Sequence, residues 1–189
     1  AYNAFHRREL MAQRLLLPTS EPARLIRMLD DYAAGDLAQG AVEGEAFSEP
    51  SAPVFVFSGN GSQWAGMGQV LLAHDPEFAA QVTEVDRLLL ALGGESVIDA
   101  INSQPSEDRY ALTEIAQPAL FAIQVGITEV LRRHGIEPAA VVGHSVGEVA
   151  AAWACGALTL EQAAKVIHAR SQAQGQTRGS GGMTAVALS

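Results

Sequence analysis

The run Gly143-His144-Ser145-Val146-Gly147 places one hydroxyl between two glycines, after the apolar stretch Ala139–Val142 and before an alanine-rich one. A serine hydroxyl is a weak nucleophile at neutral pH. To attack a carbonyl it needs a base for its proton, an exposed strained position, and N–H donors for the oxyanion that forms. Gly-x-Ser-x-Gly meets the second need when it builds a sharp strand-to-helix elbow, where the glycines permit close backbone approach. Such an elbow brings Ser145 to a helix N-terminus and aims the Val146 N–H at the developing negative charge. The alternative is a serine that only caps the helix.

Few other residues in the chain have the type and spacing for chemistry. Cys155, inside Ala-Trp-Ala-Cys-Gly-Ala, reads as a small buried hydrophobe without reactivity. His74, His134 and His168 read as surface or satisfied core residues, and His6 lies in an N-terminal appendage. There is no CxxC or HExxH spacing, so no metal site is expected.

The elements that must position Ser145 follow from local patterns. Ser20 is the expected N-cap of a helix whose apolar face is Leu25, Ile26, Leu29 and Tyr32, with Gly35 as its stop. Asp36 to Pro53 is polar and turn-rich and reads as a linker. Val54–Phe57 reads as a buried strand leading into Ser-Gly-Asn-Gly-Ser-Gln-Trp-Ala-Gly-Met-Gly. Asp75-Pro76 reads as N-cap and first residue of a helix that Gly93-Gly94 ends. The stretch from Glu95 to Leu112 is less regular. Gln117-Pro118 is expected to open a long helix with Leu120, Ile123, Ile127, Val130 and Leu131 at helical spacing. A second buried strand, Ala139–Gly143, feeds the elbow. Thr159 with Gln162 forms a capping box for the helix after it, and Thr184–Ser189 begins a further strand. This order predicts an α/β fold, a parallel sheet with helices on both faces.

Composition narrows the function classes. The chain has 189 residues, 48% apolar and 17% charged, which fits one globular domain with attached material. Its net charge of −9 argues against nucleic acid, since little here would displace counterions from phosphates. An acidic partner would have to be met locally, by single arginines. No apolar run reaches the roughly 18 to 20 residues of a membrane span, and the N-terminus lacks the order of a secretory signal. One cysteine excludes an intrachain disulfide, and a cytoplasmic setting is expected.

Four motifs in order carry a resemblance: Phe-Val-Phe-Ser-Gly-Asn-Gly-Ser-Gln-Trp-Ala-Gly-Met-Gly from Phe55, Ile-Ala-Gln-Pro-Ala-Leu from Ile115, the Ser145 elbow with its helix, and Arg170, 25 residues past Ser145. Together they resemble the acyltransferase domain of type I polyketide synthases and the related malonyl-CoA:acyl carrier protein transacylases, from about Val54 to Ser189. Trp64 favours the polyketide synthase type. The resemblance implies a parallel-sheet, hydrolase-like α/β core over residues 53–182, a small ferredoxin-like subdomain starting at 183–189, and a ketosynthase-to-acyltransferase linker over residues 1–52. It implies that Ser145 forms an acyl-enzyme ester, with backbone N–H donors from Val146 and Asn60. Asn60 stands where the family usually has glutamine, but a backbone donor survives a side-chain change. Arg170 matches the arginine that binds the free carboxylate of a malonyl-type acyl group, and Gln117 and His144 match pocket-lining positions. Val146 leans towards malonyl, since methylmalonyl-type domains tend to have glutamine there. The implied substrate is acyl-CoA, with no permanently bound cofactor. The implied partners are an acyl carrier protein bearing phosphopantetheine, a neighbouring ketosynthase and other synthase domains. No nucleic acid or membrane partner is implied.

The family's catalytic histidine follows the arginine, beyond the small subdomain, and no histidine here stands at the matching place. The expectation is therefore the first part of an acyltransferase, unstable or aggregation-prone alone because surface is left uncovered. Two other readings stay open. An α/β-hydrolase such as an esterase or thioesterase also uses Gly-x-Ser-x-Gly, but needs an HGGG-type loop and a later Asp and His. A non-catalytic docking or scaffold piece of a megasynthase would need only a carrier-protein surface.

Overall fold

In the computed structural model, which describes residues 11–46, 52–104, 107, 109–182 and 184, the chain divides into two units, 1–51 and 52–189. In the first, β1 (Gln13–Leu16) and β2 (Val42–Glu45) pair antiparallel, with Gln13 opposite Glu45 and Leu16 opposite Val42. Between them in sequence runs α1 (Pro22–Ala33). Two expectations need correction here. β2 lies inside the stretch read as a linker; its Val-Glu-Gly-Glu has no local strand pattern, and the pairing with β1 defines it. Glu21, not Ser20, is the N-cap of α1, without a side-chain bond, because Pro22 takes the first helical position. Met28 is the buried residue of that helix, whereas Ile26, Leu29 and Tyr32 are exposed. The Tyr32 hydroxyl donates to Glu43 Oε2 at 2.9 Å. Gly35 follows the helix at φ +99°, a conformation that suits glycine.

The second unit is α/β. β3 (Val54–Phe57) and β4 (Ala140–Gly143) pair in parallel, from Val54 opposite Ala140 to Phe57 opposite Gly143. Between them come α2 (Gln69–His74), α3 (Pro76–Ala91), α4 (Val97–Asn102), a 3-10 turn at Arg109–Ala111 and α5 (Thr113–Arg133). After β4 come α6 (Gly147–Ala154) and α7 (Leu160–Gly175). Side chains cap the starts of α3, α4 and α7. Asp75 accepts from Phe78 N at 2.9 Å, and Thr159 and Gln162 complete their capping box at 3.2 and 2.8 Å. A cap of this kind is worth about 1 kcal/mol. The buried Asp86 reaches from α3 to the start of α4, where its Oδ1 accepts from Val97 N at 2.6 Å and Ser96 Oγ at 2.9 Å.

The core lies among α3, α5 and α7. Phe78, Val82 and Val85 of α3 meet Phe121 and Val125 of α5, with Ala163 and Ile167 of α7, all fully buried. Each large side chain so buried contributes about 1.5–3 kcal/mol. α3 and α5 approach closely at Gly126, where a Cβ would stand 2.6 Å from Phe78 Cδ2.

The structure departs from the expected elements in three places. α5 opens at Thr113 with Leu112 as N-cap, so Pro118 lies inside it and Gln117 is 1% exposed within the helix rather than at its start. Pro118 is tolerated in the second turn because its missing N–H forfeits a single bond, to the Glu114 carbonyl. β3 and β4 exist where expected but are not buried on both faces. Phe55, Phe57 and Val141 turn to the core, while Val54, Val56 and Val142 are 54%, 73% and 55% exposed, so helices on both faces are not seen there among the described residues. Cys155 is exposed, not buried. The strand expected over Thr184–Ser189 and the subdomain start at 183–189 fall outside the described residues, apart from Thr184.

Candidate active site

Among the described residues, Ser145 is the one non-glycine with a positive φ, +53°. That conformation costs a residue with a Cβ roughly 1–2 kcal/mol, so its surroundings must impose it. They do so through the backbone. His144 N donates to Phe57 O at 3.0 Å, extending β4 along β3, and Gly147 N and Glu148 N turn back to His144 O and Ser145 O at 2.9 and 3.1 Å. The two glycines make this turn sterically possible. A Cβ on Gly143 would lie 2.4 Å from Glu148 N, and one on Gly147 would lie 2.2 Å from Phe57 O. The N-cap of α6 is Val146, with no side-chain cap, so Ser145 is not a capping residue. Its hydroxyl stands off the elbow, free for other partners.

The loop after β3 lies directly on the elbow. Gly59 is buried, and a Cβ there would meet His144 O and Nδ1 at 2.7 Å and Ser145 Cβ at 3.1 Å. Asn60 is the next residue, so its backbone comes to the elbow through Gly59. Neither the Asn60 nor the Val146 N–H has an acceptor among the described residues. The bonds that hold the loop include Ser62 Oγ to Gly59 O at 2.9 Å, Gly61 N to Gln63 Oε1 at 2.7 Å, and Gln124 Nε2 to Ser58 O at 2.8 Å.

Arg170 completes the constellation from α7. Its Nη2 donates to Ser145 Oγ at 3.1 Å, and its Nη1 to Gln117 Oε1 at 2.5 Å and Gln174 Oε1 at 3.2 Å. The Gln117 Nε2 donates to the same Gln174 oxygen. This geometry requires α7 to sit tightly on the first turns of α5. It does: a Cβ on Gly175 would lie 2.4 Å from Glu114 Cδ, and Arg178 pairs with Glu114 just beyond. An open cleft beside this junction is lined by Asn60, Thr113, Gln174, Thr177, Arg178 and Gly179.

Of the residues singled out in the sequence, hydrogen bonds bring Ser145, Arg170 and Gln117 together, and backbone packing brings Asn60 and Val146 to the same elbow. His144 is exposed and holds its place through its main chain. A guanidinium has no acceptor, so Arg170 cannot take the Ser145 proton. Among the described residues nothing else bonds that hydroxyl, and no cluster there could hold a metal ion. Three contributors were not foreseen. Gly59 was legible only as one glycine of a turn, and Gln124 only as one of several polar residues in a largely apolar helix. Gln174 lies one turn past Arg170, the i,i+4 spacing that puts two side chains on one helix face.

A profile of the family described as acyl transferase domain matches residues 54–189. The chain is 42% identical over 176 residues to erythronolide synthase EryA2 of Saccharopolyspora erythraea, covering 93% of this chain and 5% of that protein. Its structure resembles the acyltransferase domain from module 8 of the salinomycin polyketide synthase, at 37% identity and a TM-score of 0.73, covering 89% of this chain and 40% of that one. A second solved structure, a type II acyl carrier protein in complex with its malonyl-transacylase, PlMCAT:AntF, matches at 28% identity and a TM-score of 0.58, over 67% of this chain and 40% of that one. The chain thus spans a small part of its synthase relative and about two fifths of these solved chains. These matches decide between the acyltransferase and hydrolase readings of the serine elbow: the chain belongs to the acyl transferase domain family, in the form found in polyketide synthases.

Proposed function

We propose that this chain loads a carboxylated acyl group, malonyl, from coenzyme A onto Ser145 and passes it to the phosphopantetheine thiol of an acyl carrier protein. The observation that carries this reading is the Arg170 guanidinium, anchored by Gln117 and bonded to Ser145 Oγ at 3.1 Å. A planar fork of donors beside the nucleophile suits the free carboxylate of a malonyl thioester, whereas an acetyl group would leave it unpaired. In the reaction, Ser145 Oγ attacks the thioester carbonyl and the oxyanion is received by the Val146 and Asn60 N–H groups. The C–S bond breaks, the CoA thiolate takes a proton, and the acyl-enzyme ester remains. Attack by the carrier thiol reverses these steps. The proton on Oγ needs a base, for which we propose a histidine in the portion of the acyltransferase domain that this chain does not span. The carrier protein as partner is supported by the complex of a malonyl-transacylase with its carrier. We assign residues 1–52 to the segment that joins the domain to a neighbouring ketosynthase, with a cytoplasmic setting.

The test is intact mass spectrometry of the natural protein containing these residues after incubation with malonyl-CoA or acetyl-CoA, with Ser145→Ala alongside. A malonyl-sized adduct on the wild type alone is the expected result. An acetyl adduct in preference would overturn the dicarboxylate reading. No adduct from either would favour a docking piece without catalysis.

A further inference from the structure

Arg170 does not meet Ser145 alone; a second carboxamide, which the acyl-transfer reading leaves without a role, stands against it. Gln174 Oε1 accepts from Arg170 Nη1 at 3.2 Å and from Gln117 Nε2. Gln117 is 1% exposed, so its amide cannot turn to water for partners. An amide has one oxygen and one NH2 group, and which of them faces Arg170 decides whether the contact attracts or repels. By taking the Gln117 NH2, Gln174 leaves the Gln117 oxygen facing the guanidinium. Arg170 Nη1 is thereby held between two neutral oxygens, and Nη2 is directed at Ser145 Oγ.

The neutrality of these partners matters as much as their geometry. Glu114 is the carboxylate nearest this junction on α5, and it is paired with Arg178, which sits past Gln174 at the end of α7. No carboxylate among the described residues pairs with Arg170. Its charge is oriented by dipoles and left uncompensated, the state in which a substrate carboxylate gains most from it.

We propose that Gln174 is a positioning residue that sets the selectivity of the site for carboxylated over uncharged acyl groups, by fixing the Gln117 amide and steering Arg170 without neutralising it. This rests on the acyl-transfer reading above. Gln174 touches no reacting atom; it acts through Arg170 and Gln117. It also lines the open cleft with Asn60 and Thr113, so a side chain there can be changed without disturbing the buried core.

The experiment compares Gln174→Glu and Gln174→Leu with wild type in the intact natural protein, measuring kcat and KM for loading from malonyl-CoA and from acetyl-CoA, with thermal melts of each. Glutamate keeps the acceptor that Arg170 and Gln117 share but adds a charge that competes with the substrate carboxylate. The malonyl-to-acetyl ratio of kcat/KM is expected to fall about tenfold. Leucine removes the acceptor and frees the Gln117 amide; KM for malonyl-CoA is expected to rise roughly three- to tenfold, several times more than acetyl-CoA loading falls. A merely structural role would lower both substrates together or shift the melt. Equal losses for the two substrates, or an unchanged ratio in Gln174→Glu with wild-type malonyl loading intact, would overturn the proposal. If Gln174→Glu does not fold, the KM of Gln174→Leu decides alone, and an unchanged value overturns it. A wild-type protein that loads acetyl and not malonyl would overturn the parent reading, and this one with it.

Discussion

Ser145 shows how much a single residue can carry in its backbone. Its positive φ is strain that an N-cap, with its extended backbone, would not need, and it fits where Gly143, Gly147 and the Phe57 carbonyl bring the backbone close. The prediction at this scale compares two variants that both lack the hydroxyl. Ser145→Ala keeps a Cβ in the left-handed region, whereas Ser145→Gly does not, so the glycine protein is expected to be more stable by about 1 kcal/mol in urea denaturation. Both lose the acyl adduct. Glycine's greater freedom in the unfolded chain, about 0.4–1 kcal/mol, works against it, so a glycine protein less stable than the alanine one would mean that the elbow stores no strain. The elbow was legible in the sequence because five consecutive residues encode it. Arg170 was legible through its distance from Ser145 within a motif set. Gln174 was not, since a glutamine on a helix face is ordinary until the fold brings the buried Gln117 against it.

At the level of elements, capping chemistry was legible and coverage was not. Asp75, Thr159 and Gln162 announce helix starts because their hydrogen bonds close within three residues. Pro118 misled because proline marks a first turn in many helices, and here the burial of α5 through Ile115–Phe121 outweighs one missing bond. β3 and β4 announce strands by composition, but what covers their second face is not encoded locally. The packing of α3 on α5 turns on Gly126, which the sequence shows only as a poor helix former. Gly126→Ala pushes a methyl group against the Phe78 ring, and a loss of about 1–3 kcal/mol is expected. In a Phe78→Leu background the ring is gone, so the same substitution should be far less harmful. Thermal or urea denaturation of the four proteins measures this coupling. An equal penalty in both backgrounds would show that helix propensity or another contact, rather than this crossing, sets the requirement for glycine.

For the whole molecule, two features pull in opposite directions. The net charge of −9 keeps copies apart, while Val54, Val56 and Val142 present one apolar face of a two-stranded parallel sheet. Parallel sheets are ordinarily covered on both faces, and an uncovered apolar face promotes association. Which effect wins depends on range. Charge repulsion reaches only about 10 Å at 0.1 M salt and about 3 Å at 1 M, whereas the apolar contact is undiminished by salt. Residues 1–189, prepared as an isolated polypeptide, are therefore expected to bind a hydrophobic dye and to associate increasingly as salt is raised from 0.1 to 1 M. Val56→Thr with Val142→Thr keeps the β-branched shape and makes that face polar. The pair should lower both dye binding and association, read by fluorescence and light scattering, with the melting temperature changed by only a few degrees. Because Val56 and Val142 sit opposite each other in the sheet register, the two changes act on one patch, and either alone should give a partial effect. A wild-type polypeptide that stays monomeric and dye-silent at 1 M salt would show that the face is too small to drive association. Association that survives the double substitution unchanged would place the sticky surface elsewhere in the molecule.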